Sequence, residues 1–185
     1  MRISYNSPVI LNFTILCLAV MGLSMTVMPD LNERLFANYP HPNWLNPLTY
    51  FRLFSHVAGH ADLTHLLSNF TIILLIGPIL EEKYGSKNLL QMMVITALLT
   101  GLVNSLFFST GLMGASGIAF MLILLSSFTN IVEGEIPLTF ILVAILFLGR
   151  EVIGSLESDD ISQFAHIAGG VAGSVFGRSL VKPRF

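Results

Sequence analysis

The sequence predicts an all-α membrane protein: a six-transmembrane-helix bundle with a long interfacial loop between helices 1 and 2. Three observations carry that expectation. The 185 residues are 54% hydrophobic and only 11% charged, against about 25% charged in soluble domains, and mean hydropathy is +0.76. Six apolar runs each approach the roughly 20 residues that a helix needs to cross a bilayer core. The runs are continuously apolar and lack the dyad alternation of membrane β-barrels.

The spans read as residues 9–28, 63–80, 89–108, 115–132, 136–153 and 161–181, within a single domain covering 1–185. A signal peptide is the alternative for 9–28, but the run is long for one and no clear small-x-small cleavage site follows. The joints "EEKYGSKN" and "EGE" are short and polar, as tight helix hairpins require, and "GSLESDDIS" is acidic. The long joint, residues 29–62, carries helix-breaking prolines and the aromatics Tyr39, Trp44, Tyr50 and Phe51. Its backbone cannot lie bare in hydrocarbon, so it should lie on the membrane surface or pack against the bundle.

With both termini on one side, that side holds Arg2, Lys83, Lys87, Arg178, Lys182 and Arg184, and the other Arg34, Arg52 and Arg150. The positive-inside rule then places both termini in the cytoplasm. A net charge of −2 does not suggest a nucleic-acid partner, and the single Cys17, in an apolar run, reads as a packing residue.

Ionisable groups inside spans are costly and mark function by default. His65 lies early in the second span, with Asn69 one turn further on the same face, and His166 lies early in the sixth. "GASG" opens the fourth with Ser116. Spans two, four and six run in one direction, so His65, Ser116 and His166 fall at similar depth beneath the outer surface. Singly, Ser116 would be a helix N-cap, and His166 or Asn69 an interhelical contact. Together they fit nucleophilic acyl transfer, in which a serine hydroxyl needs a base to take its proton.

In that reading Ser116 and His166 form a dyad. Gly114 and Gly117 leave room for a peptide, and the positive helix start at Ser116 suits an oxyanion. His65 and Asn69 can donate to the same oxyanion, while Phe120, one turn after Ser116, can support the His166 ring. Asp159 and Asp160 precede the sixth span and read as solvated loop charges. Gly169, Gly173 and Gly177 form a small-residue ladder that admits close helix approach.

"GASG", "AHIAGGVAG" and "HADLTHLLSN", with "EEKYGS" and the Phe51-Arg52 pair, resemble the rhomboid intramembrane serine proteases over nearly the whole chain, as a six-span core without extra domains. The resemblance implies Ser116 as nucleophile and His166 as general base. It implies an oxyanion hole of His65, Asn69 and the Ser116 amide, beside Gly114, with His56, His60 and Arg52 structural. Substrates would be transmembrane proteins whose helices unwind near the outer surface, cleaved after a small residue. The fifth span and "GSLESDDIS" would act as gate and cap. The expected setting is a prokaryotic cell membrane, and no cofactor or metal is expected. Phe120 stands where this family usually has tyrosine, and Phe51 where tryptophan often precedes the arginine.

Three rivals remain in view. A non-catalytic rhomboid-like protein that binds or escorts membrane clients would not need a paired nucleophile and base. A zinc site at His56, His60, His65 and Asp62 has acceptable ligands but lacks H-E-x-x-H. A transporter would place ionisable groups near the midplane, where the inner halves of the spans have almost none.

Overall fold

The computed structural model describes residues 3–128 throughout and, beyond them, helical positions 138, 141, 142, 145, 146, 167, 169–172 and 175. The expected fifth span, much of the sixth and the acidic loop between them therefore lie largely outside the described residues. The described elements are α1 (Pro8–Thr26), α2 (Leu31–Leu35), α3 (Pro47–Ser55), a 3₁₀ turn at His56–Ala58, α4 (Leu63–Tyr84), α5 (Ser86–Phe107) and α6 (Ser116–Phe128).

Helices α1, α4 and α5 are long and apolar enough to cross a membrane. At about 1.5 Å per residue, 19 to 22 residues reach about 28–33 Å, the thickness of a hydrocarbon core. Side chains such as Leu75 and Ile79 are 70% and 65% exposed on α4, whereas Leu66, Phe70, Ile73 and Leu80 pack inward with Ile10, Leu89, Met92 and Leu122. An outer surface this apolar is stable only when lipid is the solvent.

Close packing rests on glycine where backbones meet. A Cβ at Gly77 would fall 2.6 Å from Ile10 Cδ1, and one at Gly101 would fall 2.6 Å from the Leu53 carbonyl. The first contact seats α1 on α4, and the second seats α3 on α5.

The α4–α5 hairpin is tighter than the sequence predicts. Helix α4 does not stop at Leu80 but runs through the charged residues to Tyr84, and Gly85 alone turns the chain with φ +80°. Burial of Glu81 explains the extension. Its carboxylate accepts from the Val9 and Ile10 amides, both at 3.0 Å, and from Ser86 Oγ at 2.7 Å. It thus caps the start of α1, where Ser7 gives no side-chain bond.

The joint between α1 and α4 is folded and packed on the bundle. Pro47 opens α3 instead of breaking a helix, because a first-turn residue needs no amide hydrogen; Asn46 Oδ1 caps it from Leu48 N at 2.9 Å. Arg52 donates twice to the Arg34 carbonyl, at 3.1 and 2.6 Å, and lies 5.0 Å over the Tyr39 ring. Asn32 Nδ2 donates to the His60 carbonyl at 2.8 Å. Cys17 is buried, its Sγ 4.0 Å from the Val57 carbonyl, as a packing residue should be.

Candidate active site

The segment after α5 delivers Ser116, and the joint holds that segment in place. Asn38 and Leu112 exchange both backbone hydrogen bonds, at 2.9 and 2.8 Å. Gly114 N donates to the His56 carbonyl at 2.9 Å, and Ala115 N donates to His60 Nε2 at 3.3 Å. Asn104 Nδ2 adds a bond to the Thr110 carbonyl at 3.1 Å. The segment leading into Ser116 is thereby held by the joint and by α5.

Ser116 is half-buried and is the first residue of α6. It is not the N-cap: the Ala115 carbonyl accepts from Ala119 N at 2.9 Å, so Ala115 takes the position before the first turn. The amide of Ser116 lies in the positive first turn.

Gly114 has φ +128°, a left-handed conformation that favours glycine. The position also leaves no room for a side chain. A Cβ there would sit 2.6 Å from His65 Cε1, 2.8 Å from His65 Nε2 and 3.7 Å from Asn69 Nδ2. The backbone two residues before Ser116 therefore lies directly against His65 and Asn69. Asn69 is 7% exposed, and its Nδ2 has no hydrogen-bond partner among the described residues. A buried donor left without a partner costs about 1–3 kcal/mol, which is recovered when an acceptor enters.

Asp62 fixes the near end of α4 by accepting from His65 N at 2.7 Å. The His65 ring meets His60 edge to face at 5.2 Å, and His60 packs on Phe70 at 5.9 Å. Burial pushes His60 down to about 4, with the neighbouring His65 adding to the effect and the Ala58 carbonyl and Asp62 offsetting part of it. A neutral His60 keeps the Nε2 lone pair that receives the Ala115 amide. Burial likewise takes His56 down to about 4.

The structure thus brings His65, Asn69 and Gly114 together beside Ser116. Gly117 packs beneath them against Thr100, whose Cγ2 would stand 3.0 Å from a Cβ at that glycine. Phe120 is buried, and a Cβ at Gly170 would fall 2.6 Å from Phe120 Cδ1. His166, Gly173 and Gly177 lie outside the described residues, as do Asp159 and Asp160. No group of three metal-ligating side chains stands together among the described residues, and both ring nitrogens of His56 are engaged elsewhere.

Sequence reasoning treated His60 as structural and gave Asn38 and Thr100 no part. The spacing in "HVAGH" puts two histidines near the site, but nothing local says that one meets an amide at position 115.

Helices long and apolar enough to cross a bilayer, with polar groups gathered around a serine at a helix start, define an integral membrane protein with a candidate site. Residues 47–183 match the family model of the Rhomboid domain. The chain belongs to the rhomboid family. It is similar to a protein named Rhomboid protease GlpG from Haemophilus influenzae, 24% identical over 130 residues that cover 69% of this chain and 68% of the relative. Proteins of the same name from Yersinia pestis and Yersinia pseudotuberculosis are 29% identical over 119 residues, covering 64% of this chain and 42% of theirs. The chain thus spans about two thirds of the first relative and less than half of the other two.

Proposed function

We propose that this chain is a serine endopeptidase that hydrolyses a peptide bond in or near the transmembrane segment of membrane-protein substrates, through a Ser116–His166 dyad and an acyl-enzyme. The observation that carries the reading is the packing of Phe120 on Gly170. Phe120 follows Ser116 by four residues and Gly170 follows His166 by four. Four residues are about one helical turn, so the same offset on both sides of this contact supports a pairing of Ser116 with His166.

The chemistry follows from these groups. His166 takes the proton from Ser116 Oγ as that oxygen attacks the substrate carbonyl carbon. The carbonyl oxygen, now negative, enters the space beside Gly114, where Asn69 Nδ2 and His65 donate to it together with the Ser116 amide. Collapse breaks the C–N bond, and His166 returns its proton to the leaving amine. Water then repeats the sequence on the ester with His166 again as base, restoring the free serine.

The Lys and Arg distribution supports a multi-pass orientation with both termini cytoplasmic and the site near the outer face, and the bacterial relatives support a prokaryotic cell membrane.

A fluorophosphonate probe on purified protein tests the assignment. Labelling is expected to vanish in Ser116→Ala and to fall sharply in His166→Ala; undiminished labelling of Ser116→Ala would mean that another residue is the nucleophile.

A further inference from the structure

Thr100, about two thirds of the way along α5, is fully buried, and the two branches of its side chain do different work. The hydroxyl lies 3.1 Å from His56 Nε2 and 2.9 and 3.0 Å from the carbonyls of Thr96 and Ala97. His56 Nδ1 faces the Arg52 carbonyl at 3.1 Å. A carbonyl can only accept, so Nδ1 carries the ring proton and the Nε2 lone pair faces the Thr100 hydroxyl, whose single proton is shared among Nε2 and the two carbonyls. With its oxygen held on that side, the β-branched side chain has one direction left for its methyl.

That methyl points between two glycines. A Cβ at Gly117 would stand 3.0 Å from Thr100 Cγ2, and a Cβ at Gly169 would overlap the same carbon. Gly117 adjoins Ser116, and Gly169 lies three residues after His166. Both helices rest on this methyl, and neither carries a side chain there to hold it off.

We propose that Thr100 is a positioning residue for the dyad: its Cγ2 methyl, seated between Gly117 and Gly169, sets the spacing of the two helices and so the reach from Ser116 to His166. The proposal rests on the serine–histidine reading above. Without the methyl the helices gain slack at the level of the reacting groups, and misplacement of about 1 Å can cost about 100-fold in rate. The rate suffers while the probe's own pocket, built by His65, Asn69 and Gly114, is untouched.

The test is fluorophosphonate labelling of the purified full chain over a range of probe concentrations, with thermal unfolding alongside. Thr100→Ser keeps the hydroxyl and removes the methyl; Thr100→Val keeps a methyl and removes the hydroxyl. The expected result for Thr100→Ser is a maximal labelling rate about tenfold lower at an unchanged half-saturating concentration. Thr100→Val should label within about twofold of the parent despite a lower melting temperature, because it keeps the spacer. A Thr100→Ser protein that labels at the parental rate, whatever its melting temperature, overturns the proposal. So does a Thr100→Val protein that is folded but loses as much rate as Thr100→Ser. If Thr100→Val does not fold, the rate and half-saturation of Thr100→Ser decide alone. Labelling that survives in Ser116→Ala would instead sink the dyad itself, a separate outcome.

Discussion

The amide of Ala115 donates to Nε2 of His60 at 3.3 Å, so a histidine 55 positions upstream holds the residue immediately before Ser116. The bond needs a neutral acceptor. Burial supplies one by taking His60 down to about 4 and excluding the charged ring at neutral pH.

A pH dependence follows. Unfolded, His56 and His60 titrate near the ordinary 6.5, whereas folded they titrate near 4. Between those values the unfolded chain binds more protons, so stability falls as pH drops from about 6.5 to about 4 and flattens below. Thermal midpoints from pH 7.5 to 4.5 should show that slope, and His60→Gln should make it shallower. A midpoint independent of pH in both proteins would contradict the neutral-histidine account.

Asn69→Ala should separate activity from stability. Its Nδ2 is buried and has no partner among the described residues, so its removal takes away no bond of that nitrogen to them. As an oxyanion donor it is worth about 3 kcal/mol, or roughly 100-fold in turnover. Turnover and melting temperature measured together decide: a large loss of melting temperature at intact turnover would make Asn69 structural.

Gly114→Ala should disable the site by two routes. The φ of +128° strains any side chain, at about 1–3 kcal/mol, and the new Cβ meets His65 at 2.6 Å. Serine labelling is expected to drop by at least about tenfold while helical content by circular dichroism is kept. Parental labelling would show that His65 can yield without consequence.

Glu81→Ala should do the reverse. Losing the carboxylate strips acceptors from Val9 N, Ile10 N and Ser86 Oγ, at a cost of about 1–3 kcal/mol for buried groups left unpaired. The melting temperature should fall while the labelling rate of the surviving folded protein holds. A changed rate at an unchanged melting temperature would refute a purely structural Glu81.

Much of this was legible in the sequence because it is local. Apolar run length located α1, α4 and α5, and "HADLTHLLSN" and "GASG" contain the residues that meet at the site. The sequence placed the end of α4 one turn early because charge at Glu81 reads as a loop signal. Only the amides of α1, 71 and 72 positions away, make that carboxylate a helical residue. Ser116 likewise reads as a cap until the Ala115 carbonyl is seen to close the first turn.

What the sequence by itself determined is the solvent and the candidates: composition requires lipid, and a serine, two histidines and an asparagine stand out as polar residues in apolar runs. Tertiary structure decided which groups hold them. His60 on Ala115, Asn38 on Leu112 and Thr100 between Gly117 and Gly169 join positions far apart in the chain. Periodicity and capping rules act within a few residues, so pairings at such separations arise only when the helices pack.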